Sequence, residues 1–257
     1  MEKITGGEPA SQPVEPHPVL PSYYSDLVQR PSFVRALFDH TAGHYDRVIQ
    51  LLSLGTGDWY RRQALRRAGL RPGMQVLDVA TGTGSVARQA VAITGSKDNI
   101  VGLDISSGML AEAGRKLGIK LLQASAEQLP LATASIDFLS MGYALRHVCD
   151  LAATFREFYR VLRPGGTVLL LEIARPPAGL GYRLLALYLG RVIPWLARWT
   201  TGDKEMQTLM RYYWDTIENC VSAETILQTL RGSGFAATGC QVDCGIFRAY
   251  WGRKAES

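Results

Sequence analysis

The sequence predicts an α/β fold: a doubly wound, mostly parallel seven-stranded sheet within one domain. Three observations lead there. Between residues 75 and 173, short β-branched runs alternate with amphipathic segments of helical period, and such alternation builds right-handed crossovers between parallel strands. The run Leu77-Asp-Val-Ala-Thr-Gly-Thr-Gly84 places two glycines between a strand and the helix that follows it, where a doubly wound sheet presents its ligand loop. A chain of 257 residues fills one sizeable core.

Taken in order, residues 1–22 carry Pro13, Pro16, Pro18 and Pro21 with little apolar content. That composition buries too little surface to offset ordering entropy and predicts a flexible tail, leaving 23–257 as the domain. Phe33, Leu37 and Phe38 fall at helical spacing, and a second helix over 59–68 stops at Gly69 and Pro72. Strands are predicted at 75–80, 100–105, 120–124, 136–141 and 167–173, with helices at 86–93, 108–116 and 151–162 between them. After Pro176 the rhythm breaks into a helical insertion over about 177–222, with helices at 184–199 and 204–220. A last helix, 223–230, ends at Gly232, and the runs 238–242 and 246–251 are spaced like a terminal hairpin.

The loop carries the chemistry. Asp78 closes the first strand, and Gly82 and Gly84 let the backbone bend tightly and approach a ligand. Twenty residues after Gly84, Asp104 ends the second strand, where a carboxylate can accept both hydroxyls of a ribose. A nucleoside is therefore expected. Gly82-x-Gly84-x-x-Ala87 also satisfies the dinucleotide fingerprint, so NAD competes with S-adenosylmethionine. A pyrophosphate wants backbone amides and a helix dipole unopposed by a carboxylate, whereas Asp78 suits the ammonium and sulfonium of S-adenosylmethionine. The charge pattern favours the second.

Other classes are disfavoured. The four cysteines form no CxxC pair, and no His/Cys/carboxylate group has metal-ligand spacing, so neither zinc nor another metal is expected. No Ser-His-Asp signature suggests a hydrolase. The first residues lack an apolar signal core, and no apolar run reaches the roughly 18 residues of a spanning helix; a cytoplasmic protein with reduced thiols is expected. The net charge of +5 is spread along the chain without a Lys/Arg run, which argues against nucleic acid as a partner.

With these residues assembled, a family resemblance emerges. Phe38-Asp39 with Tyr45-Asp46, the loop at 76–87, Ala126-Glu-Gln-Leu-Pro130, Leu145-Arg146-His-Val-Cys-Asp150, and Arg160-Val-Leu-Arg-Pro-Gly-Gly166 followed by Leu171-Glu-Ile together resemble the ubiquinone/menaquinone biosynthesis C-methyltransferases. The resemblance spans about residues 33–176 well and the rest more loosely. It implies a Rossmann-like class I methyltransferase fold, with cofactor contact from Thr83 in the loop, from Asp104 at the ribose and from Ser125 with Ala126 along the adenine, and with Gly142 at a further cofactor-lining position. Ala80, Thr81, Gly82, Gly84, Ile105 and Met109 are further candidate cofactor contacts. Arg146 matches the arginine implicated in the family's chemistry, and Tyr45 an aromatic lying over the cofactor. Departures fall on the acceptor side: Thr81 for Gly, Met141-Gly-Tyr-Ala for Ser-Phe-Gly, His147 for Asn, and Tyr212-Tyr-Trp-Asp-Thr-Ile217 for Tyr-Leu-Pro-Glu-Ser-Ile.

The expected acceptor is a small aromatic or lipidic molecule: a polyprenyl quinol ring or, alternatively, another C-, N- or O-methyl acceptor. A cofactor-binding scaffold without turnover is the non-enzymatic alternative. Arg146 is the candidate to polarise a water that takes a hydroxyl proton; its structural alternative is an ion pair with a carboxylate. His147 and His44 are candidate bases because imidazole titrates near neutrality. The apolar stretch 182–199 carries Arg183, Arg191 and Arg198 on one helical face. It reads either as a surface leaning on a membrane's inner face or as a buried cap or homodimer helix.

Overall fold

The computed structural model describes residues 13–53 and 55–256. Strands β1 (Val76–Val79), β2 (Ile100–Asp104), β3 (Lys120–Gln123), β4 (Ile136–Gly142), β5 (Leu162–Ile173), β6 (Ala237–Asp243) and β7 (Phe247–Arg253) form one sheet in the order β3-β2-β1-β4-β5-β7-β6. The first five run parallel, and β7 is antiparallel to both β5 and β6. The chain winds outward from β1 to β3 and then restarts on the other side at β4. The order therefore reverses between β1 and β4, and a crevice opens beyond their carboxyl ends. All four residues of β1 are buried, as a central parallel strand covered on both faces requires.

Helices α1 (Arg30–Ser53), α2 (Gly57–Arg67), α3 (Ser85–Thr94), α4 (Ser107–Leu117), α5 (Leu151–Val161), α6 (Leu180–Leu187), α7 (Ile193–Thr201), α8 (Lys204–Glu218) and α9 (Ala223–Gly232) complete the described residues. Phe155 and Phe158 of α5 and Ile226 and Leu230 of α9 pack one face of the sheet. Leu65 of α2 and Ala87 and Ala90 of α3 pack the other. A third apolar core lies in the helical cap, where Val34, Leu37 and Val48 of α1 meet Ile193, Met206, Leu209 and Met210. This cap roofs the crevice.

The helix predicted over 184–199 is interrupted. Between α6 and α7 the backbone forms a π turn, Tyr188–Val192, in which the Ile193 N–H reaches back to the Tyr188 carbonyl. Two residues account for it. Pro194 has no N–H to continue an α ladder, and Gly190 sits where a Cβ would lie 3.1 Å from the Trp214 ring.

The proline-rich segment corrects the flexible-tail expectation over its described part; residues 1–12 lie outside the described residues. Val14 N–H donates to Asp150, Leu151 N–H to the Val14 carbonyl and Val221 N–H to the Pro16 carbonyl. The buried Arg30 guanidinium holds the His17 carbonyl at 2.9 Å and the Val148 carbonyl at 3.1 Å. Backbone groups thus supply what apolar side chains do not.

Gly84 caps α3 with φ of 87°, and a Cβ there would collide with Leu117. Left-handed backbone strain and overpacking add, so Gly84→Ala is expected to lower stability by about 2–4 kcal/mol in urea unfolding. A loss below about 1 kcal/mol would contradict this account of the turn.

Candidate active site

Two aspartates of α1 close the loop over the crevice. Asp39 accepts hydrogen bonds from Ser106 Oγ at 2.6 Å and from Gly108 N at 2.8 Å, capping α4. Asp46 accepts from Thr83 Oγ1 and from Lys116 Nζ. The Phe-Asp and Tyr-Asp pairs are thereby explained: their carboxylates clamp α1 to the loop and to α4, while Phe38 and Tyr45 face the crevice.

Beneath this clamp lies a narrow slot whose wall includes Tyr45, Ala80, Gly82, Asp104, Ile105, Met109, Ser125, Ala126, Gly142 and His147. Eight of the twelve predicted cofactor residues line it, whereas Thr81 and Thr83 line only a neighbouring chamber and Asp78 and Gly84 line neither. Asp104 is 7% exposed; its Oδ2 accepts from Gly82 N at 2.8 Å and its Oδ1 from Ser106 N at 2.9 Å. Each oxygen keeps a further lone pair for a ribose hydroxyl. Gly82 has φ of 56°, and a Cβ added to it would meet no protein atom within 4 Å, so the loop leaves open space against its backbone. The residues present fit S-adenosylmethionine: an acidic ribose acceptor, an apolar slot for a flat ring and a bare backbone beside it.

The slot meets a larger chamber of about 660 Å³. The two share Tyr45, Ala80, Gly82, Gly142 and Tyr143, at the point where the sheet order reverses. Ala80 and Tyr143 hold φ of 51° and 62°, and such left-handed non-glycine residues concentrate at functional sites. Seven aromatic residues stand in the chamber wall, Trp59, Tyr60, Tyr188, Tyr213 and Phe247 joining Tyr45 and Tyr143, beside Thr81 and Thr83 of the loop.

Several assigned roles change. Asp78 lines neither cavity; it lies 1% exposed under the loop, accepting from Thr81 Oγ1 at 2.7 Å and Ser140 Oγ at 2.6 Å. Thr81 therefore covers the carboxylate that the sequence pattern pointed at the cofactor's cations. Gly84 likewise shapes the turn without lining either cavity. Arg146 is wholly buried and lines neither, its guanidinium committed to Glu172 of β5 and to α8. It anchors the cap and presents no surface to either cavity. His147 lines the cofactor slot and is absent from the wall of the larger chamber. Its ring sits 5.4 Å from both Phe38 and Tyr212 with neither nitrogen hydrogen-bonded. Burial, aided by Arg146, holds its pKa well below the usual histidine value, so it is a neutral wall of the slot. Its place there argues against a base acting on the acceptor. His44 lines neither cavity. Tyr45 lines both cavities, its hydroxyl pushed up chiefly by burial.

Sequence reasoning missed Arg61, Tyr143 and Tyr213, all in the chamber wall. A signal for Arg61 was present: it shares the buried side of α2 with Tyr60, Ala64 and Leu65, an unusual place for an arginine.

Burial pushes the Asp78 pKa up to about 6, against the hydrogen bonds from Ser140 and Thr81, and burial also raises Asp104. A cationic ligand favours the ionised forms. Affinity for S-adenosylmethionine should therefore climb as pH rises through the raised pKa of Asp104 and level off above it. Calorimetric titrations from about pH 5 to about pH 7 check this. Asp104→Asn should flatten the profile, and a flat wild-type profile would contradict the placing of Asp104 at the ribose.

Comparison with known proteins agrees with this geometry. The model of the ubiE/COQ5 methyltransferase family matches residues 27–254. The chain is 31% identical over 236 residues to the ubiquinone/menaquinone biosynthesis C-methyltransferase UbiE of Geotalea daltonii, covering 89% of this chain and 99% of that protein. The like-named protein of Coxiella burnetii is 30% identical over 214 residues, 80% of this chain and 84% of that one. In fold it is similar to an S-adenosylmethionine-dependent methyltransferase of Thermotoga maritima, with a TM-score of 0.61 at 21% identity, covering 85% and 99% of the two chains. A second such structure, from Mesorhizobium loti, has a TM-score of 0.54 at 24% identity, covering 75% and 96%. A sheet reversed at β1 and β4, a glycine loop over a buried carboxylate and a family match along nearly the whole chain converge: the protein belongs to the ubiE/COQ5 methyltransferase family and is an S-adenosylmethionine-dependent methyltransferase.

Proposed function

We propose that the acceptor is the ring of a polyprenyl benzoquinol or naphthoquinol and that a ring carbon takes the methyl group. The observation that carries this reading is the aromatic chamber of about 660 Å³ sharing a wall with the cofactor slot. A flat ring in it lies against Tyr45 and Tyr143 and faces the slot across Gly82 and Gly142. Bound S-adenosylmethionine supplies a methyl group on a sulfonium; the ring carbon that takes it gives up its own hydrogen as a proton. What the chain supplies is approach geometry and exclusion of water. The names of the relatives point to the same acceptor class.

The test is turnover with carbon-13-labelled methyl donor and a short-chain prenyl naphthoquinol or benzoquinol, with the product read by NMR. A methyl bonded to ring carbon is expected. Labelled methyl on oxygen or nitrogen, or no labelled product, would overturn the reading in favour of another small-molecule acceptor or a scaffold.

The same segment that walls the chamber also faces outward. Leu185, Tyr188 and Leu189 line it, while Leu180, Leu184, Leu187, Trp195 and Trp199 are 73, 59, 50, 60 and 75% exposed. The two indoles stack, with ring centroids 6.2 Å apart, and Arg183, Arg191 and Arg198 are exposed beside them. No helix among the described residues is long and apolar enough to cross a membrane. This apolar and basic face instead suits lying on an anionic bilayer, from which a prenyl tail could reach the chamber. Flotation with anionic vesicles should carry the protein upward, and Trp195→Ala with Trp199→Ala should release it. Protein left in the soluble fraction at low salt, or eluting as a dimer through this face, would contradict the membrane reading.

A further inference from the structure

Arg61 presents a buried cation to the chamber with its hydrogen bonding incomplete. It is 7% exposed and part of the chamber wall. Its Nε has no hydrogen-bond partner. Its ion pair with Asp58 is loose at 3.5 Å, and Asp58 already binds Arg88 at 2.7 Å. The other charged wall residues, Arg67 and Asp243, are committed to each other by hydrogen bonds of 3.3 and 2.8 Å.

One tyrosine ring lies against the guanidinium, and two further tyrosine hydroxyls in the wall are near enough to feel its charge. Tyr143 follows β4, and its ring centroid lies 5.4 Å from the Arg61 guanidinium carbon. Tyr45 comes from α1 and Tyr213 from α8. Burial pushes all three hydroxyls up, with Arg61 opposing it, so these groups are neutral near pH 7 and offer Arg61 no counter-charge. A buried donor without an acceptor is unfavourable, more so for a charged group, and native proteins rarely leave one without a reason. Nε itself is sealed from the chamber, so an acceptor brought by a ligand meets the cation at the part of Arg61 that lines the wall.

We propose that Arg61 receives a hydroxyl oxygen of the methyl acceptor and holds it as an oxyanion, so that the chamber selects acceptors with an ionisable ring hydroxyl. The hydroxyl proton leaves to water on binding. The ionised oxygen then raises electron density on the neighbouring ring carbons, and a fixed cation stabilises that charge without reorganising. Arg61 thereby fills the place that Arg146, locked in the core, cannot. The proposal rests on reading this chamber as the acceptor site, but it asks only for an acidic ring hydroxyl and not for a quinol.

4-Nitrophenol, whose anion is yellow, reports its own ionisation and serves as the probe, with S-adenosylhomocysteine present. An opposite charge at this range shifts an acid by about 1–3 pKa units. Bound to the wild type, the probe should therefore ionise at least about tenfold more readily than in solution. Arg61→Gln should remove the shift and Arg61→Lys should keep most of it, with cofactor affinity unchanged in both. In turnover, Arg61→Gln should lower kcat/KM about 100-fold, and the loss should shrink as pH rises and the acceptor ionises unaided. Asp58 on the same helix faces Arg61 as well; Asp58→Asn should leave the shift in place. Failure of millimolar probe to bind the wild type, or an equal shift in wild type and Arg61→Gln, would overturn the proposal. A shift at Arg61 with no quinol methylated would defeat the quinol reading alone. Quinol turnover unimpaired in Arg61→Gln would defeat the role of Arg61 alone.

Discussion

Arg146→Ala is expected to destabilise the protein by about 3–5 kcal/mol, measured by urea unfolding, because it leaves a carboxylate unpaired in the core. Arg146 Nε donates to Glu172 Oε2 at 2.8 Å, and the two side chains are 0% and 4% exposed. Nη1 donates to Thr216 Oγ1 at 2.7 Å and to the Tyr213 carbonyl at 3.2 Å, while the guanidinium carbon lies 4.5 Å from the Tyr213 ring centroid. Glu172 also accepts from Leu145 N at 2.8 Å. One ion pair thus ties β5, the segment after β4 and the cap helix α8 together. Turnover should fall with it, because Tyr213 belongs to the chamber wall. Stability and catalysis can be separated by the double variant Arg146→Met with Glu172→Gln. It removes both charges and keeps an acceptor for Leu145, so at least half of the lost stability should return, and turnover with it. A stable double variant that binds cofactor normally and does not turn over would restore a chemical role to Arg146.

Asp104→Ala should act in the opposite way, on affinity and little on stability. Its carboxylate positions the loop through Gly82 N and Ser106 N and offers the remaining lone pairs to the ribose. Hydrogen bonds to a charged group contribute about 1.5–3 kcal/mol each, so losing those to two ribose hydroxyls weakens cofactor binding about 100-fold or more. The free protein gains in return, because burial disfavours this carboxylate and raises its pKa. Unfolding free energy should change by less than about 1 kcal/mol. Calorimetry that finds the affinity of Asp104→Ala within about threefold of wild type would remove Asp104 from the ribose site.

Much of this site was legible because its signals are local. β1 with its glycine turn, and Asp104 one crossover later, announce themselves through spacing within about thirty residues, and the strands lie within a few residues of their predicted bounds. Signals that depend on distant partners did not show. Arg146 reads as reactive until Glu172, on the next strand, and Thr216, on the cap, are seen to enclose it. Asp78 reads as a cofactor ligand until Ser140, on β4, is seen to join Thr81 in enclosing it. Residues 13–22 look too polar to settle, yet backbone hydrogen bonds to Asp150 and Val221 hold them, and no periodicity encodes such bonds. Arg61 was hidden among the arginines of α2; only its side of the helix distinguishes it, and only Tyr143 and Tyr213, brought from other elements, make that side a chamber.

The most direct test of the account is a crystal structure with S-adenosylhomocysteine and a prenyl naphthoquinol bound. The account predicts the ribose on Asp104, the sulfur beside Gly82 and Gly142, and the quinol ring in the aromatic chamber within reach of that sulfur. A nucleoside lying in the large chamber, or a quinol bound out of reach of the sulfur, would contradict it.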